Sequence, residues 1–363
     1  MSAEFDTITA AELRRRVAAK DVSPIELTRR ALAKAEATQA TLNAFFVLLP
    51  ETALAAAKAA EDAVMRGEPL GLLHGVPFSA KDLMAVAGVR YASGSRTMAN
   101  NIAAVDAPAV ERAKAAGAIL IGKTTTSEFG CKPVGDSPLT GITRNPWNLE
   151  KTPGGSSAGA AASVAAGITP FALGTDGGGS VRIPCGFTGL AGIKAHFGRV
   201  PVWPASATPT LAHVGAIARN VGDAALLIAA IGGYDARDPF SVSAAMPDLL
   251  GACGASVADL RIAYSPTLGY ARPDPDVQAI VADAARVFEE LGCKVDLVDN
   301  VFEKDPAELW TAEFYAGVGT RLRSFVETKR ELLDPAVAEV LDLALSQDCL
   351  LYTSPSPRDR QKS

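Results

Sequence analysis

The sequence predicts an α/β fold, and three observations support this prediction. The hydrophobic period changes from a helical one before Arg66 to a strand-like alternation in Val76–Ala80. Strand-like and helical segments then continue to alternate as far as Lys294–Val298. Hydrophobic residues make up 48% of the 363 residues and charged residues 21%, which is typical of a soluble globular protein.

Helix-start signals dominate the N-terminal segment. Thr9-Ala-Ala-Glu12 and Ser23-Pro-Ile-Glu26 are capping boxes, in which a hydroxyl and a carboxylate bind the unpaired amides at the start of a helix. An Ala-rich third helix is expected over Glu51–Arg66. Val76–Ala80 then alternates in the manner of a strand that ends at Lys81.

The middle and later segments continue the same alternation. Asp106-Ala-Pro108 is expected to cap a helix that ends at Gly117, and Ala118–Ile121 is a short buried strand. An irregular stretch rich in Gly, Pro and Asn occupies Cys131–Pro153. Beyond it we predict helices over Ser157–Ala166, Val221–Ala230 and Asp276–Leu291, and strands over Thr169–Leu173, Arg261–Ser265 and Lys294–Val298.

No repeat or linker-like change of composition divides the chain, so we expect one domain over residues 1–348. Residues 349–363 contain two X-Pro steps and resemble the translation of an adapter used to prepare DNA libraries; a natural Pro/Ser-rich tail is the alternative. Under the adapter interpretation these residues are non-native. The natural protein would then continue with strands and helices that this chain lacks, and we expect apolar surface to be exposed.

Charge and cysteine content argue against several classes of protein. The formal net charge is −5 and no long basic run occurs, which disfavours binding to nucleic acid. The five cysteines are scattered without a C-x-x-C pair, so neither a zinc site nor a disulfide framework is predicted. The first residues do not resemble a signal peptide, and no apolar run of about 18 residues could span a membrane. We expect a cytoplasmic enzyme without a metal or cofactor.

A glycine-rich segment, Gly174-Thr-Asp-Gly-Gly-Gly-Ser180, contains the predicted nucleophile. Because glycine has no Cβ, consecutive backbone amides can converge on one point. Such donors suit a developing oxyanion, and a serine beside them can attack the carbonyl that produces it. Ser180 is therefore the candidate, although a flexible turn is the alternative explanation for this segment taken alone.

A serine nucleophile needs a base, which is usually histidine. The chain has only His74, His196 and His213, and each is expected to serve packing or loop hydrogen bonds. A lysine can replace histidine if burial lowers its pKa from about 10.4 toward neutrality. Lys81 closes a predicted inner strand and is the candidate base.

Three segments together resemble the amidase signature family. They are Gly75-Val-Pro-Phe-Ser-Ala-Lys81-Asp82, Pro153-Gly-Gly-Ser-Ser-Ala-Gly159 and Gly174-Thr-Asp-Gly-Gly-Gly-Ser180-Val-Arg182, and the similarity runs from about Leu72 to Phe240. The resemblance implies a central mixed β-sheet covered on both faces by helices, and a serine–cis-serine–lysine triad. By position, the nucleophile is Ser180, the bridging serine is Ser156 after a cis peptide bond from Gly155, and the base is Lys81.

The resemblance also implies how an amide is cleaved. Neutral Lys81 takes a proton from Ser156, which takes one from Ser180 as the latter attacks the carbonyl, and water then hydrolyses the acyl-enzyme. Backbone amides would bind the oxyanion, namely those of Gly177, Gly178, Gly179 and Ser180. Three side chains would support the site: Ser157 by hydrogen bonding to the relay, and Asp176 with Arg182 as an ion pair that braces the loop.

Two better-known motifs are expected to be accidental. Gly117-Ala-Ile-Leu-Ile-Gly-Lys123-Thr124 matches the phosphate-binding P-loop, but its variable residues form a predicted strand and a helix precedes it. Gly155-Ser-Ser157-Ala-Gly159 matches the nucleophile elbow, which would make Ser157 the nucleophile. The Pro- and Asn-rich segment before it is incompatible with the strand that such an elbow requires.

The predicted function is hydrolysis of a small-molecule carboxylic amide to a carboxylate and ammonia or an amine. The alternative is the A subunit of an aspartyl/glutamyl-tRNA amidotransferase, which works with partner subunits. Gly198–Pro204 and Thr210–His213 are more similar to stand-alone amidases. Gly177 and Lys194-Ala-His196 depart from the family pattern in positions that affect loop and pocket shape, so the sequence does not identify the particular amide. A homodimer is a further open possibility.

Overall fold

The computed structural model describes residues 3–346 of the chain. They divide into two compact units, the first comprising residues 3–253 and 317–346 and the second residues 254–316. The tail predicted at residues 349–363 lies outside the described residues, and one domain over residues 1–348 stays a prediction.

The described residues contain eleven α-helices, most of them in the first unit. They are α1 (Ala10–Ala18), α2 (Pro24–Leu42), α3 (Pro50–Arg66), α4 (Pro108–Ala115), α5 (Ala158–Ala165), α6 (Arg182–Thr188), α7 (Val221–Ile231), α8 (Leu249–Ala252), α9 (Pro275–Glu290), α10 (Ala307–Thr328) and α11 (Pro335–Leu345). Short 3-10 helices lie at Ala3–Asp6, Arg96–Met98, Glu128–Gly130 and Arg330–Leu332. No helix among residues 3–346 has the length and apolarity that a membrane span requires.

The strands form one six-stranded sheet and two small pairs. They are β1 (Phe45–Leu48), β2 (Pro77–Lys81), β3 (Ile119–Thr124), β4 (Asp136–Ser137), β5 (Gly141–Ile142), β6 (Phe171–Asp176), β7 (Ala191–Lys194), β8 (His213–Ala218), β9 (Arg261–Tyr264) and β10 (Lys294–Leu297). In the large sheet the order is β1-β3-β2-β6-β8-β7. Strands β3, β2 and β6 run parallel, whereas β1, β8 and β7 pair antiparallel with their neighbours, so the mixed sheet is confirmed.

Both faces of the sheet are covered. Every residue of β2 and β3 is buried, and successive side chains of a strand point to opposite faces. Helices α2, α3 and α5 pack against β3, and α7 packs against β8. The rings of Phe78 and Phe171, on the adjacent strands β2 and β6, lie 6.3 Å apart in the core. The predicted α/β architecture is therefore confirmed.

The predicted hydroxyl caps of α1 and α2 are confirmed, whereas the Glu12 carboxylate of the first capping box binds Arg15 and Arg16. The Thr9 hydroxyl accepts a hydrogen bond from the Glu12 amide at 3.1 Å. The Ser23 hydroxyl accepts from the amides of Ile25 at 3.0 Å and Glu26 at 3.3 Å. These bonds satisfy amides that would otherwise have no partner in the first helical turn.

The predicted cap of α4 is wrong. Ala107 occupies the N-cap position and makes no side-chain bond to the helix. The Asp106 carboxylate instead accepts the Ala87 amide at 2.8 Å and pairs with Lys114 at 2.8 Å. Asp106 thus ties a neighbouring loop to the side of α4.

The second unit is built around a strand–helix–strand motif. Strands β9 and β10 pair in parallel, as expected when a helix, here α9, connects them. No residue of α9 is buried within the described residues, and its exposed apolar side chains include Val277, Ile280 and Val287.

Candidate active site

The ends of two parallel strands bring the first predicted residues together. Strand β2 ends at Lys81 and strand β6 ends at Asp176, and the two strands are neighbours. The carboxyl ends of parallel strands lie at one edge of the sheet, where ligands of α/β proteins commonly bind. At this edge, α5 and the glycine-rich segment after β6 complete the candidate site.

Lys81 lies entirely inside the protein. None of its side chain is exposed, and its ammonium nitrogen lies 2.7 Å from Ser156 Oγ and 2.9 Å from Thr175 Oγ1. Burial lowers the pKa of Lys81 to about 7, although the negative charge of Asp176 acts in the opposite direction. A large share of Lys81 is therefore uncharged near neutral pH.

Ser156 follows a cis peptide bond from Gly155. A Cβ on Gly155 would lie 2.3 Å from the Val134 carbonyl oxygen, so only glycine fits this position. On its other side, the Ser156 hydroxyl faces Gly130, on which a Cβ would come within 3.2 Å of Ser156 Oγ. The hydroxyl thus contacts Lys81, and Gly130 is its neighbour at a distance that an added Cβ would close.

Ser157 connects the Ser156 segment to strand β6 and to Ser180. Its hydroxyl donates to the Thr175 carbonyl at 3.2 Å and accepts from the Thr175 amide at 3.3 Å. Its backbone amide donates to the Ser180 carbonyl oxygen at 3.2 Å. Since Ser157 is fully buried and occupied by these bonds, it has the contacts of a supporting residue and not of a nucleophile.

Ser180 is partly exposed at the end of the glycine-rich segment. Within residues 3–346, no hydrogen bond joins its hydroxyl to that of Ser156, and none of the bonds made by either serine involves a histidine. Catalytic hydrogen bonds are often long before substrate binds, so the relay from Ser180 to Ser156 stays a proposal.

His74 and His213 bind the backbone carbonyls of Ala60 and Leu211, at 2.9 and 2.8 Å.

Asp176 and Arg182 form the predicted ion pair. Two guanidinium nitrogens of Arg182 lie 3.0 and 2.9 Å from the two carboxylate oxygens of Asp176. The same carboxylate accepts the Gly179 amide at 2.7 Å and the Val181 amide at 3.2 Å. Burial alone would raise the pKa of Asp176, but the bonds from Arg182 and these amides outweigh it and hold the pKa below its usual value.

The bond to Asp176 corrects one part of the predicted oxyanion hole. The Gly179 amide is directed at the Asp176 carboxylate and is therefore not available to an oxyanion in this conformation. Gly178 is exposed, and no hydrogen bond among the described residues uses its amide or that of Ser180. The amides of Gly177, Gly178 and Ser180 stay the proposed oxyanion donors.

Both alternative motifs lie in a context that excludes them. The P-loop match falls on strand β3 itself, and its lysine, Lys123, is buried against Asp82 instead of facing a phosphate cradle. The segment before Ser157 contains no strand that could form a nucleophile elbow, since β5 ends at Ile142.

Sequence reasoning missed three contributors to this region. Thr175 was inside a quoted motif but had no assigned role, although it binds both Lys81 and Ser157. Gly130 neighbours Ser156, and Lys123 pairs with Asp82; in each case the two residues are distant in sequence, so only the tertiary structure brings them together. Within residues 3–346, no group of three or more His, Cys, Asp or Glu side chains is arranged to hold a metal ion.

Comparison with known proteins gives a consistent result. The chain matches the Amidase family over residues 26–340. It is 38% identical to an acylamidase from Rhodococcus erythropolis, over 85% of this chain and 65% of that protein. It is 37% identical to the A subunit of the glutamyl-tRNA(Gln) amidotransferase of Geobacter metallireducens, over 80% of this chain and 60% of that protein. This chain therefore spans less than two thirds of the length of either relative.

A solved structure is similar as well. It is a bacterial aryl acylamidase of the amidase signature family, which superposes with a TM-score of 0.90 at 31% identity. The superposition covers 95% of this chain and 74% of that one.

Proposed function

This chain belongs to the amidase family, and from that membership and the surroundings of Lys81 we propose that it hydrolyses carboxylic amides through an acyl-enzyme on Ser180. The products are a carboxylate and ammonia or an amine. The observation that carries the proposal is the 2.7 Å contact between Lys81 Nζ and Ser156 Oγ. A fully buried lysine whose pKa is lowered to about 7 can act as a base at neutral pH, which a solvated lysine cannot.

In the proposed mechanism, Ser180 Oγ attacks the amide carbonyl carbon. Its proton passes to Ser156 Oγ, while the Ser156 proton passes to Lys81 Nζ. The proton returns along the same path to the amide nitrogen, the carbon–nitrogen bond breaks, and the amine leaves. Water then adds to the ester carbonyl while Ser156 and Lys81 accept one of its protons. The bond from the carbonyl carbon to Ser180 Oγ breaks, the proton returns through Ser156 to Ser180 Oγ, and the carboxylic acid leaves and ionises to the carboxylate in solvent.

Stabilisation of the oxyanion is assigned to backbone amides. In the proposal these belong to Gly177, Gly178 and Ser180, at a bend that Asp176 stabilises through the Gly179 and Val181 amides. Preorganised amides of this kind favour the tetrahedral intermediate because they need no reorientation as charge develops on oxygen.

We propose a small-molecule amide as the substrate. The names of two similar proteins, an acylamidase and an aryl acylamidase, support an N-acylated amine among the candidates. We also propose a cytoplasmic location, as expected from the scattered, odd number of cysteines.

The test combines covalent labelling with a substrate panel. The protein is treated with a fluorophosphonate and the labelled peptide is mapped, and release of ammonia or amine is measured for aliphatic, aryl and peptide amides. We expect the label on Ser180, and Ser180→Ala should lose both labelling and hydrolysis. Ser163→Ala is the matched control, because Ser163 is a buried serine whose hydroxyl binds the Ala160 carbonyl outside the site. A label on Ser157, or equal hydrolysis by Ser180→Ala, would contradict the assignment.

A second candidate function is that of the A subunit in an amidotransferase. The 37% identity to the corresponding protein from Geobacter metallireducens favours it. The two candidates differ in their dependence on other proteins. Hydrolysis of simple amides by the chain alone supports the amidase, whereas activity only in the presence of partner subunits supports the amidotransferase.

A further inference from the structure

A second buried lysine lies on the strand next to Lys81. Lys123 is in β3, and its ammonium group pairs with the Asp82 carboxylate, with neither side chain exposed to solvent. The Lys123 ammonium group also donates to the Arg90 carbonyl at 2.9 Å and lies 4.8 Å from the centre of the Tyr91 ring. A buried ion pair contributes little net stability in general, so its presence calls for another explanation.

Asp82 organises the loop that follows Tyr91. One carboxylate oxygen accepts the Ala92 amide at 3.4 Å, and the other accepts the Gly94 amide at 3.3 Å. Between them, Ser93 has a φ of +52°, a conformation that non-glycine residues rarely adopt without support. The carboxylate therefore fixes both ends of a three-residue bend.

This bend holds the turn that encloses Ser156. The Ser93 carbonyl accepts the Phe129 amide at 2.8 Å, and Phe129 also has a positive φ, of +49°. The next residue, Gly130, is the one whose backbone faces Ser156 Oγ. Hydrogen bonds thus run from Asp82 through the Ala92–Gly94 bend to Phe129, and the next residue, Gly130, is a neighbour of the Ser156 hydroxyl.

We propose that Asp82 and Lys123 are positioning residues of the candidate amidase site, which keep Ser156 Oγ within hydrogen-bonding reach of Lys81. Lys123 pairs with the Asp82 carboxylate and holds it in place, and Asp82 holds the bend at Ala92–Gly94, to which the Phe129 turn is bonded. Neither residue contacts the substrate. This inference rests on the proposed function, since it assigns Ser156 to the proton relay.

Asp82→Asn is the first test variant. The Ala92 and Gly94 amides bind different oxygens of Asp82, and Asn replaces one of these oxygens with an NH₂ donor that repels the facing amide, so the bend is expected to shift and release the Phe129 turn. Fluorophosphonate labelling of Ser180 should slow by about 10- to 100-fold, because small misplacements of catalytic groups have effects of this size. The loss should fall on the maximal labelling rate, with the half-saturating probe concentration unchanged. Hydrogen exchange in the peptide that contains Phe129 and Gly130 should accelerate.

Asp223→Asn is the matched control. Asp223 is an equally buried carboxylate that accepts two backbone amides, those of Ala10 at 2.9 Å and Ala11 at 3.3 Å, but it has no connection to the Phe129 turn. We expect this variant to lose thermal stability while it keeps the labelling rate of the wild type. If Asp82→Asn does not fold, Asp82→Asn/Lys123→Met removes both buried charges and is expected to show the same labelling defect.

The outcomes separate this inference from the proposed function. The positioning role would be overturned if the Asp82 variants matched Asp223→Asn in both labelling rate and hydrogen exchange. It would also be overturned if hydrogen exchange in the Asp82 variants became faster while the labelling rate stayed unchanged. A wild-type chain that is not labelled at Ser180 would overturn the proposed function and the relay role of Ser156 with it. If the wild type is labelled but hydrolyses no amide, only the assignment of amides as substrates is overturned. The comparison of labelling rates would still decide the role of Asp82.

Discussion

Lys81 Nζ lies 2.7 Å from Ser156 Oγ, and no part of the lysine side chain is exposed. The nitrogen also contacts Thr175 Oγ1 at 2.9 Å, and no carboxylate lies within ion-pairing distance of it among the described residues. Burial without a paired anion lowers the pKa of this lysine. The position of Lys81 inside the protein is therefore also the reason that it can act as a base.

Replacement of Lys81 by methionine should abolish most activity without unfolding the protein. Methionine has a similar length and no charge, so it removes the base and also the cost of burying an amine. We expect kcat to fall by about 10²- to 10⁴-fold, the range typical of a general base, with thermal stability kept or increased. Amide hydrolysis and thermal melting measure the two effects. Activity close to that of the wild type would contradict the assignment of the base.

The activity should rise with pH through the pKa of Lys81. Only the neutral amine can accept a proton from Ser156, and burial lowers the pKa to about 7. The profile of kcat/KM should therefore have an acidic limb with a midpoint near pH 7. A profile that stayed flat from pH 6 to 9 would contradict the role of Lys81 as a base that titrates near pH 7.

The stability of the protein should depend on pH through the same lysine. Its pKa is lowered on folding, so the folded state binds fewer protons than the unfolded state between about pH 7 and the usual pKa of 10.5. The free energy of unfolding therefore increases as the pH rises across this window. Below pH 7 the folded protein bears the full cost of burying a charged Lys81. Denaturation of the wild type and of Lys81→Met at several pH values should show a steeper rise of stability with pH in the wild type.

The sequence could predict those parts of the site that lie in short continuous segments. Lys81, Ser156 and Ser180 each stand in a motif with local meaning, and the capping residues Thr9 and Ser23 act within a single helical turn. The physical determinants of these predictions are local, so a single sequence is enough to identify them.

The remaining features depend on approaches between distant segments. The predicted strand was Ala118–Ile121, but β3 continues to Thr124, where its last residues pair with β1 and β2. Strand β1 approaches so closely that a Cβ on Gly122 would lie 2.5 Å from the Val47 carbonyl oxygen. Only a residue without a Cβ fits at this position, and that requirement comes from the packing of β1 against β3. The Asp82–Lys123 pair was missed for the same reason, since its partners are 41 residues apart.

Asp176→Asn should be more harmful than Arg182→Lys. Asp176 is almost fully buried and accepts the amides of Gly179 and Val181 in addition to the guanidinium. Loss of the Asp176 carboxylate should lower the free energy of unfolding by about 1.5–3 kcal/mol, the range for hydrogen bonds to a charged group. It should also lower kcat, because the proposed oxyanion amides would be displaced. The Arg182 side chain is 55% exposed, so a lysine there should cost about 1 kcal/mol or less. Equal losses of stability and kcat in the two variants would show that the ion pair alone holds the loop.

Gly155→Ala should disrupt the site, whereas Gly186→Ala should be tolerated. The Cβ of an alanine at position 155 would lie 2.3 Å from the Val134 carbonyl oxygen, which belongs to the backbone and cannot move aside cheaply. Overpacking of this kind costs about 1–3 kcal/mol, and the displaced backbone would carry Ser156 away from Lys81. Gly186 lies in α6 with no atom within 4 Å of an added Cβ, so alanine there should raise stability by about 0.5–1 kcal/mol. Thermal melting and Ser180 labelling of both variants test the pair. Full labelling of Gly155→Ala would mean that the Val134 contact does not hold Ser156 in place.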